Sequence, residues 1–347
     1  MTLVSVVMPT FNAARWVTNA IDTVSAQTYS ELELIAVDDH SQDDTVAVLR
    51  NKLASDFRRP WQVIELPANQ GPSAARNVGL HAAKGSWVQF LDSDDSIAPN
   101  KFELQMAHCH DASPEIVSVY SPFRRCYVDD GEVTWEGPID CGNMQGRLPV
   151  MCLIGGYRPL HSSGLTRRSI LERIGGFDET LRFWECEEIN VRIAAAGSIL
   201  HIPSSEPLYR WRMHRQSYIG GDKARYRAVP VALGWIEQVL KAGGHQSLDE
   251  LGLTKPEREA VLNDCTMWAR LLFGTDRAAF RRFIAMARAL DPDITPTNPV
   301  HIAWLAKRSS YETSETVAKL LRIPRRLARK TLVGLRLRRQ TALIDYD

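Results

Sequence analysis

The 347-residue chain reads as an α/β protein: a doubly wound, mostly parallel sheet flanked by helices, followed by a helical C-terminal appendage. Three observations predict this. Short apolar runs alternate with stretches whose apolar residues recur at helical spacing. The connections between the runs are long enough to be helical crossovers. Beyond Gly220-Gly221 the strand signal fades into helical periodicity.

In chain order, Leu3 to Met8 is a buried first strand, broken by Pro9-Thr10-Phe11-Asn12. Asn12 is expected to cap a helix running through Ala26, with Trp16, Val17, Ala20, Ile21 and Val24 on one face. Leu32 to Val37 is the second strand, ending in Asp38-Asp39-His40-Ser41, and Ser41-Gln42-Asp43-Asp44 opens a helix with Val46, Leu49 and Leu53 inward. Trp61 to Leu66 is the third strand, leading through Asn69-Gln70-Gly71-Pro72-Ser73 into a helix carrying Ala74, Val78 and Ala82. Trp87 to Leu91 is the fourth strand, and Glu115 to Cys126 reads as one further strand. Tyr226–Lys241, Lys255–Phe273, Arg277–Leu290 and Pro299–Lys307 read as helices.

The fourth strand ends in three carboxylates within four residues, Asp92-Ser93-Asp94-Asp95. Carboxylates so close repel unless solvated or gathered around a cation, and hard oxygens suit Mg²⁺ or Mn²⁺. A solvated acidic turn and a cation site are both open on this stretch alone. In doubly wound sheets, ligands sit outside the carboxyl ends of the strands. Pro9 to Asn12, Asp38-Asp39 and Asp92 to Asp95 all occupy such ends. Neither Gly-x-Gly-x-x-Gly nor a Walker-type Gly-Lys-Ser follows the first strand, which disfavours dinucleotide-binding and ATPase readings. Arg76 follows a Gly-Pro turn at a helix start, where a solvated position and a site position are both open.

The 42 Lys/Arg and 41 Asp/Glu nearly cancel, but from His301 onward there are 11 Lys/Arg against 4 Asp/Glu. Six cysteines without a Cys-x-x-Cys pair fit reduced thiols in a cytoplasmic protein. No apolar run is long enough to span a bilayer, and Leu3 to Met8 lacks the basic leader of a signal peptide. His108 and His110 flank Cys109, but residues two apart on a helix face different sides, so this is no metal motif.

Val6-Val7-Met8-Pro9-Thr10-Phe11-Asn12, Val37-Asp38-Asp39-His40-Ser41, Asn69 to Asn77 and Phe90 to Asp95, in this order, closely resemble the motifs of family 2 glycosyltransferases of GT-A fold. Ile174-Gly175-Gly176-Phe177-Asp178-Glu179 is similar to the family's acceptor-side segment, so the resemblance covers residues 3 to about 220. It implies a GT-A domain over 1–220, with a nucleotide-binding half (1–105) and an acceptor half (106–220), ahead of a helical region at 221–347.

The resemblance also implies roles. Asp39 accepts a hydrogen bond from a pyrimidine ring, Pro9, Thr10 and Phe11 wall the base, and Asn12, Arg76, Asp92, Ser93 and Asp94 complete the nucleotide contacts. Asp94 or Asp95 ligates Mn²⁺ or Mg²⁺, with His214 completing the metal shell. The partners implied are a nucleoside diphosphate sugar, UDP-linked, and a glycan or lipid-linked acceptor, with inversion at the transferred sugar. Relatives carry Glu-Asp followed after five residues by Arg, the Asp acting as base. Aligning Arg192 with that Arg places Cys186 at the base position. A thiol suits this role poorly, which passes it to a neighbour, Glu185 ahead of Glu187, or leaves the site impaired.

Two rival readings remain: a sugar-nucleotide-binding or scaffold protein without turnover, and a nucleotidyltransferase, disfavoured by the lack of a Gly-rich basic loop. Trp184, Trp211 and Tyr218 offer faces to a sugar or pack in the core. The basic amphipathic tail, Lys319 to Arg339, suits an anionic membrane surface or a protein partner, and nucleic acid is not indicated.

Overall fold

The computed structural model describes residues 2–109, 113–129, 132–139, 161–181, 184–214, 229–242, 246–272 and 276–292. It divides into two compact units, Met1–Gln246 and Ser247–Asp347. The expected break at 220/221, the helix at Pro299–Lys307 and the basic tail lie outside the described residues.

The first unit is built on a seven-stranded sheet. Strands β1 (Val4–Thr10), β2 (Leu32–Asp38), β3 (Trp61–Glu65) and β4 (Trp87–Phe90) run parallel in the order β4-β1-β2-β3. Helices α1 (Val17–Ser25), α2 (Thr45–Asp56) and α3 (Pro72–Ala82) connect them in turn. β1 is buried along its whole length because it lies centrally with helices over the sheet, which is why its sequence is a continuous apolar run rather than an alternating one. Its Ser5 and the buried Glu33 of β2 are satisfied by one another at 2.5 Å, and the Lys84 and Gly85 N–H groups donate to the same Glu33 oxygen. Gly79 lets α3 lie close on the sheet: a Cβ there would stand 2.3 Å from Val7 Cγ1.

The sheet continues beyond β4 with β9 (Leu165–Arg167), antiparallel to both its neighbours, then β6 (Ile116–Tyr120) and β10 (Ser198–His201). A second, four-stranded sheet runs β5 (Ser96–Ile97), β11 (Tyr209–His214), β7 (Phe123–Asp129), β8 (Glu132–Ile139). The expected single strand Glu115–Cys126 is therefore two, β6 and β7, in different sheets. The chain changes sheet at Ser121-Pro122, a break that the uniformly β-prone residues on either side conceal. Helices α4 (Lys101–Cys109), α5 (Arg168–Arg173), α6 (Glu185–Ala196) and α7 (Val229–Ala242) complete the described part of this unit.

Asn12 does not cap α1. The helix begins at Val17 after a turn over Ala13–Trp16, and the Asn12 side chain instead accepts the Gln42 N–H at 2.8 Å. Asn12 takes φ 48°, a left-handed conformation that asparagine tolerates.

In the second unit, α8 (Lys255–Leu272) and α9 (Arg277–Leu290) meet through Trp268 and Phe283, edge to face at 5.4 Å. Asp276 caps α9 by accepting the Ala279 N–H. Among the described residues, no helix is long and apolar enough to cross a membrane.

Candidate active site

Parallel pairing in register brings the carboxyl ends of β1, β2 and β4 together, with Thr10 opposite Asp38 and Val7 opposite Phe90. At β2, the two aspartates do different work. Asp38 takes the Ser41 hydroxyl at 2.6 Å, the Ser41 N–H at 2.8 Å and the Thr10 hydroxyl at 3.2 Å, which locks the turn between β2 and α2. Buried Asp39 takes the backbone N–H groups of Gln70 at 2.7 Å and Gly71 at 2.8 Å, and so fixes the loop entering α3. Above these ends Phe11 is 48 % exposed, presenting a free ring on the turn after β1.

Arg76 is not a solvated surface residue. It is 4 % exposed, and its guanidinium reaches Asp92 at 2.8 Å and Glu185 at 3.4 Å. The guanidinium carbon lies 5.2 Å from the centre of the Phe177 ring. Burial opposes its charge, but Asp92, with Glu185 beside it, more than reverses that and holds the arginine charged. Burial likewise opposes ionisation of Asp92, and Arg76 outweighs it, so that carboxyl sits below the usual carboxylate range. The Phe177 position is set by Asn77, whose amide takes the Phe177 N–H at 2.8 Å and donates to the Phe177 carbonyl at 2.9 Å and to Glu179 at 2.8 Å. Gly176 makes this approach possible: its φ is 67°, and a Cβ would fall 2.4 Å from Asn77 Oδ1.

The acidic turn after β4 separates three aspartates that look alike in sequence, with buried Ser93 between the first two. Asp92 belongs to Arg76. Asp94, with 27 % of its side chain exposed, has Oδ2 3.1 Å from His214 Nε2 at the end of β11. Asp95 is 1 % exposed, accepting the Tyr209 hydroxyl on one oxygen and the Arg212 N–H, at 2.7 Å, on the other. Burial, then Asp94 and Asp92, push the Asp95 carboxyl well above its ordinary value. Of the two aspartates expected as metal ligands, Asp95 thus has both oxygens engaged in pinning β11 to the acidic turn, whereas Asp94 faces His214. Among the described residues, no three His, Cys, Asp or Glu side chains form a ready-made cation cage. A carboxylate and an imidazole 3.1 Å apart do fit a divalent ion that draws its remaining ligands from substrate phosphates.

At the first turn of α6, Glu185 is buried and holds one oxygen, Oε1, 3.4 Å from Arg76 Nη1 and 3.5 Å from the Cys186 sulfur. Burial and then Glu185 push the Cys186 thiol well up, so it stays protonated. Glu187 is partly exposed on the same turn, and Glu188 pairs with Arg192 through both oxygens, at 2.6 and 2.5 Å. His161 lies opposite, its Nε2 3.8 Å from Cys186 Sγ. Burial and then Arg76 hold this imidazole down to about 3, so it is neutral.

Residues 5–161 match the model of glycosyl transferase family 2. This segment has the sequence of a family 2 glycosyltransferase. An uncharacterized glycosyltransferase of Haemophilus influenzae is 42% identical over 106 residues, 30% of this chain and 42% of that protein. A GalNAc(5)-diNAcBac-PP-undecaprenol beta-1,3-glucosyltransferase of Campylobacter jejuni is 39% identical over 137 residues, 39% of this chain and 42% of that protein. The chain thus spans less than half the length of each of these relatives. Residues 1–349 of S. aureus TarS, solved in complex with UDP-GlcNAc, superpose with a TM-score of 0.57 over 92% of each chain at 19% identity, a likeness of fold. The fold is GT-A.

Within this fold, the expected residues fall into two neighbouring groups. Thr10, Phe11, Asn12 and Asp39 gather at the ends of β1 and β2. Arg76, Asp92, Glu185 and Cys186 gather where α3, the acidic turn and α6 meet, with Asp94 and His214 joined across the turn. Asp95 supports the turn from below. Two residues by the site escaped sequence reasoning. His161 carries no motif, and Trp16, counted as one more apolar helix position, ends the turn before α1 and stacks on His214.

Proposed function

We propose that the chain transfers a sugar, with inversion, from a nucleoside diphosphate sugar, UDP-linked, to a glycan or lipid-linked acceptor, using a divalent metal. The observation that carries this reading is the Arg76 bridge, which places Glu185 beside Asp92, one turn residue from the Asp94–His214 pair. That puts a carboxylate for the acceptor next to the groups suited to the departing diphosphate.

In this reading the Phe11 ring covers the base. Each Asp39 oxygen keeps a second lone pair for a ring N–H, which suits uracil. Asp94 and His214 hold the metal, Mn²⁺ ahead of Mg²⁺ because imidazole suits it better. When bound, the ion neutralises charge developing on the diphosphate leaving group. Glu185 accepts the acceptor hydroxyl's proton through Oε2, the oxygen that neither Arg76 nor Cys186 engages. Inversion follows if that hydroxyl attacks the anomeric carbon opposite the diphosphate in a single displacement. The name of the Campylobacter relative supports a lipid-linked glycan as the acceptor class.

The test is release of free nucleotide from UDP-, GDP- and dTDP-sugars, with and without undecaprenyl-diphosphate-linked glycans. Acceptor-stimulated UDP release is expected. Mn²⁺-dependent UDP binding with no release from any donor would favour a binding protein instead, the reading for which Cys186 speaks.

A further inference from the structure

Three side chains able to carry positive charge meet on one indole. The His214 ring stacks on Trp16 with centroids 4.7 Å apart and planes inclined by 22°. The guanidinium carbons of Arg212 and Arg15 lie 5.0 and 4.5 Å from the same ring centroid. Arg212 is further fixed by Nη2 donating to Asn19 at 2.7 Å and by its backbone N–H on Asp95. Its Nη1 is buried with no hydrogen-bond partner. A buried guanidinium N–H that finds no acceptor within the protein is suited to one that a ligand brings.

Trp16 itself is well anchored. Its backbone N–H closes the turn on the Ala13 carbonyl at 2.8 Å, and the Ala13 N–H donates to the Thr45 hydroxyl at 2.8 Å. The same stretch between β1 and α1 carries Phe11 and Asn12. One short segment thus presents a ring for a base and, five residues on, an indole that carries His214 and Arg212.

We propose that Trp16 is a positioning residue for the donor's diphosphate and its metal. Stacking stops the His214 imidazole from turning about its own axis and keeps Nε2 directed at Asp94. The negative face of the indole offsets repulsion among neighbouring cations, which leaves Arg212 Nη1 set for a phosphate oxygen before the donor arrives. The inference rests on Asp94 and His214 being the metal pair. It adds that their geometry depends on a residue touching neither metal nor substrate.

The test uses the full chain and three variants, Trp16→Leu, Trp16→Phe and His214→Ala, each checked by circular dichroism. Leu keeps apolar bulk without a ring, whereas Phe keeps a ring. Mn²⁺ affinity is read by the electron paramagnetic resonance of free Mn²⁺ with UDP present, and UDP and UMP affinities by calorimetry. If the wild type binds GDP or dTDP instead, those diphosphate and monophosphate pairs replace them. Loss of support around a metal ligand costs about 10- to 100-fold in metal affinity. Trp16→Leu should show a loss of that order together with a reduced preference for UDP over UMP, while UMP binding holds and Trp16→Phe recovers most of the loss. Wild-type Mn²⁺ affinity and UDP preference in Trp16→Leu, beside a weakened His214→Ala, would overturn the inference alone. An unchanged His214→Ala would remove the metal reading and the inference with it.

Discussion

Asp94 and Asp95 are adjacent and chemically identical, yet the structure assigns them opposite consequences on mutation. Asp95→Ala leaves the Tyr209 hydroxyl and the Arg212 N–H without their buried acceptor. An unsatisfied buried group costs about 1–3 kcal/mol, so two of them cost about 2–6 kcal/mol. Removing a carboxyl crowded by Asp94 and Asp92 returns part of this, which leaves about 2–4 kcal/mol. For a unit of this size each kcal/mol shifts Tm by roughly 2–4 °C, so the unfolding temperature should fall by roughly 5–15 °C. Asp95→Asn should recover part of that, since it restores one acceptor in a place that already favours the uncharged form. Asp94→Ala removes a partly exposed side chain bonded to His214, and its stability should stay within about 0.5 kcal/mol of wild type. The same variant should lose Mn²⁺-dependent UDP binding. Calorimetric unfolding and UDP titration with and without Mn²⁺ on the three single variants decide the matter. An Asp95→Ala protein as stable as wild type that has lost Mn²⁺-dependent binding would refute the assignment, as would an Asp94→Ala protein that retains it.

Three further outcomes are expected. Glu185→Gln should lower turnover by about 10²- to 10⁴-fold, the usual worth of a positioned base, while Glu187→Gln and Cys186→Ala change it little; a large loss in Cys186→Ala with both glutamine variants active would force a role for the thiol. The folded protein keeps His161 neutral down to about 3 while the unfolded chain protonates near 6.5, so stability falls as pH drops through that window. At pH 5 this amounts to about 2 kcal/mol, and urea midpoints at pH 7 and pH 5 should differ less for His161→Gln than for wild type; equal losses in both proteins would refute it. Truncation before Lys319 should weaken co-sedimentation with anionic liposomes, and full-length binding should fall steeply with salt; full-length protein that ignores such liposomes at low salt would assign the tail to a protein contact.

The parallel strands were legible because burial on both faces writes them as continuous apolar runs, as in Val4 to Met8 and Leu32 to Val37. The acidic turn was legible because three carboxylates in four residues are conspicuous. What sequence could not supply was partnership across distance. Arg76 lies in an Ala-rich stretch where an arginine looks solvated, and its burial depends on Asp92 and on Glu185, 109 positions away. Asp94 and Asp95 differ through their contacts with His214 and with Tyr209 and Arg212, all more than 110 positions away. The capping role expected of Asn12 failed for a related reason. Its side chain was claimed by Gln42 of the neighbouring βα turn, which leaves Trp16 at the helix entrance.

The replacement of an expected aspartate by Cys186 looks, in sequence, like the loss of a catalytic base, and the contacts of Glu185 favour a different outcome. Burial and Glu185 raise the thiol, so Cys186 holds its proton and points it at Glu185 Oε1. Arg76 reaches the same oxygen, but its shorter contact, 2.8 Å against 3.4 Å, goes to Asp92. Glu185 thus shares a cation that is committed more closely elsewhere, takes a weak thiol hydrogen bond on Oε1, and leaves Oε2 clear of both. On the proposed reading Cys186 is compatible with turnover because it carries no charge, and the base is Glu185, one residue earlier in the first turn of α6.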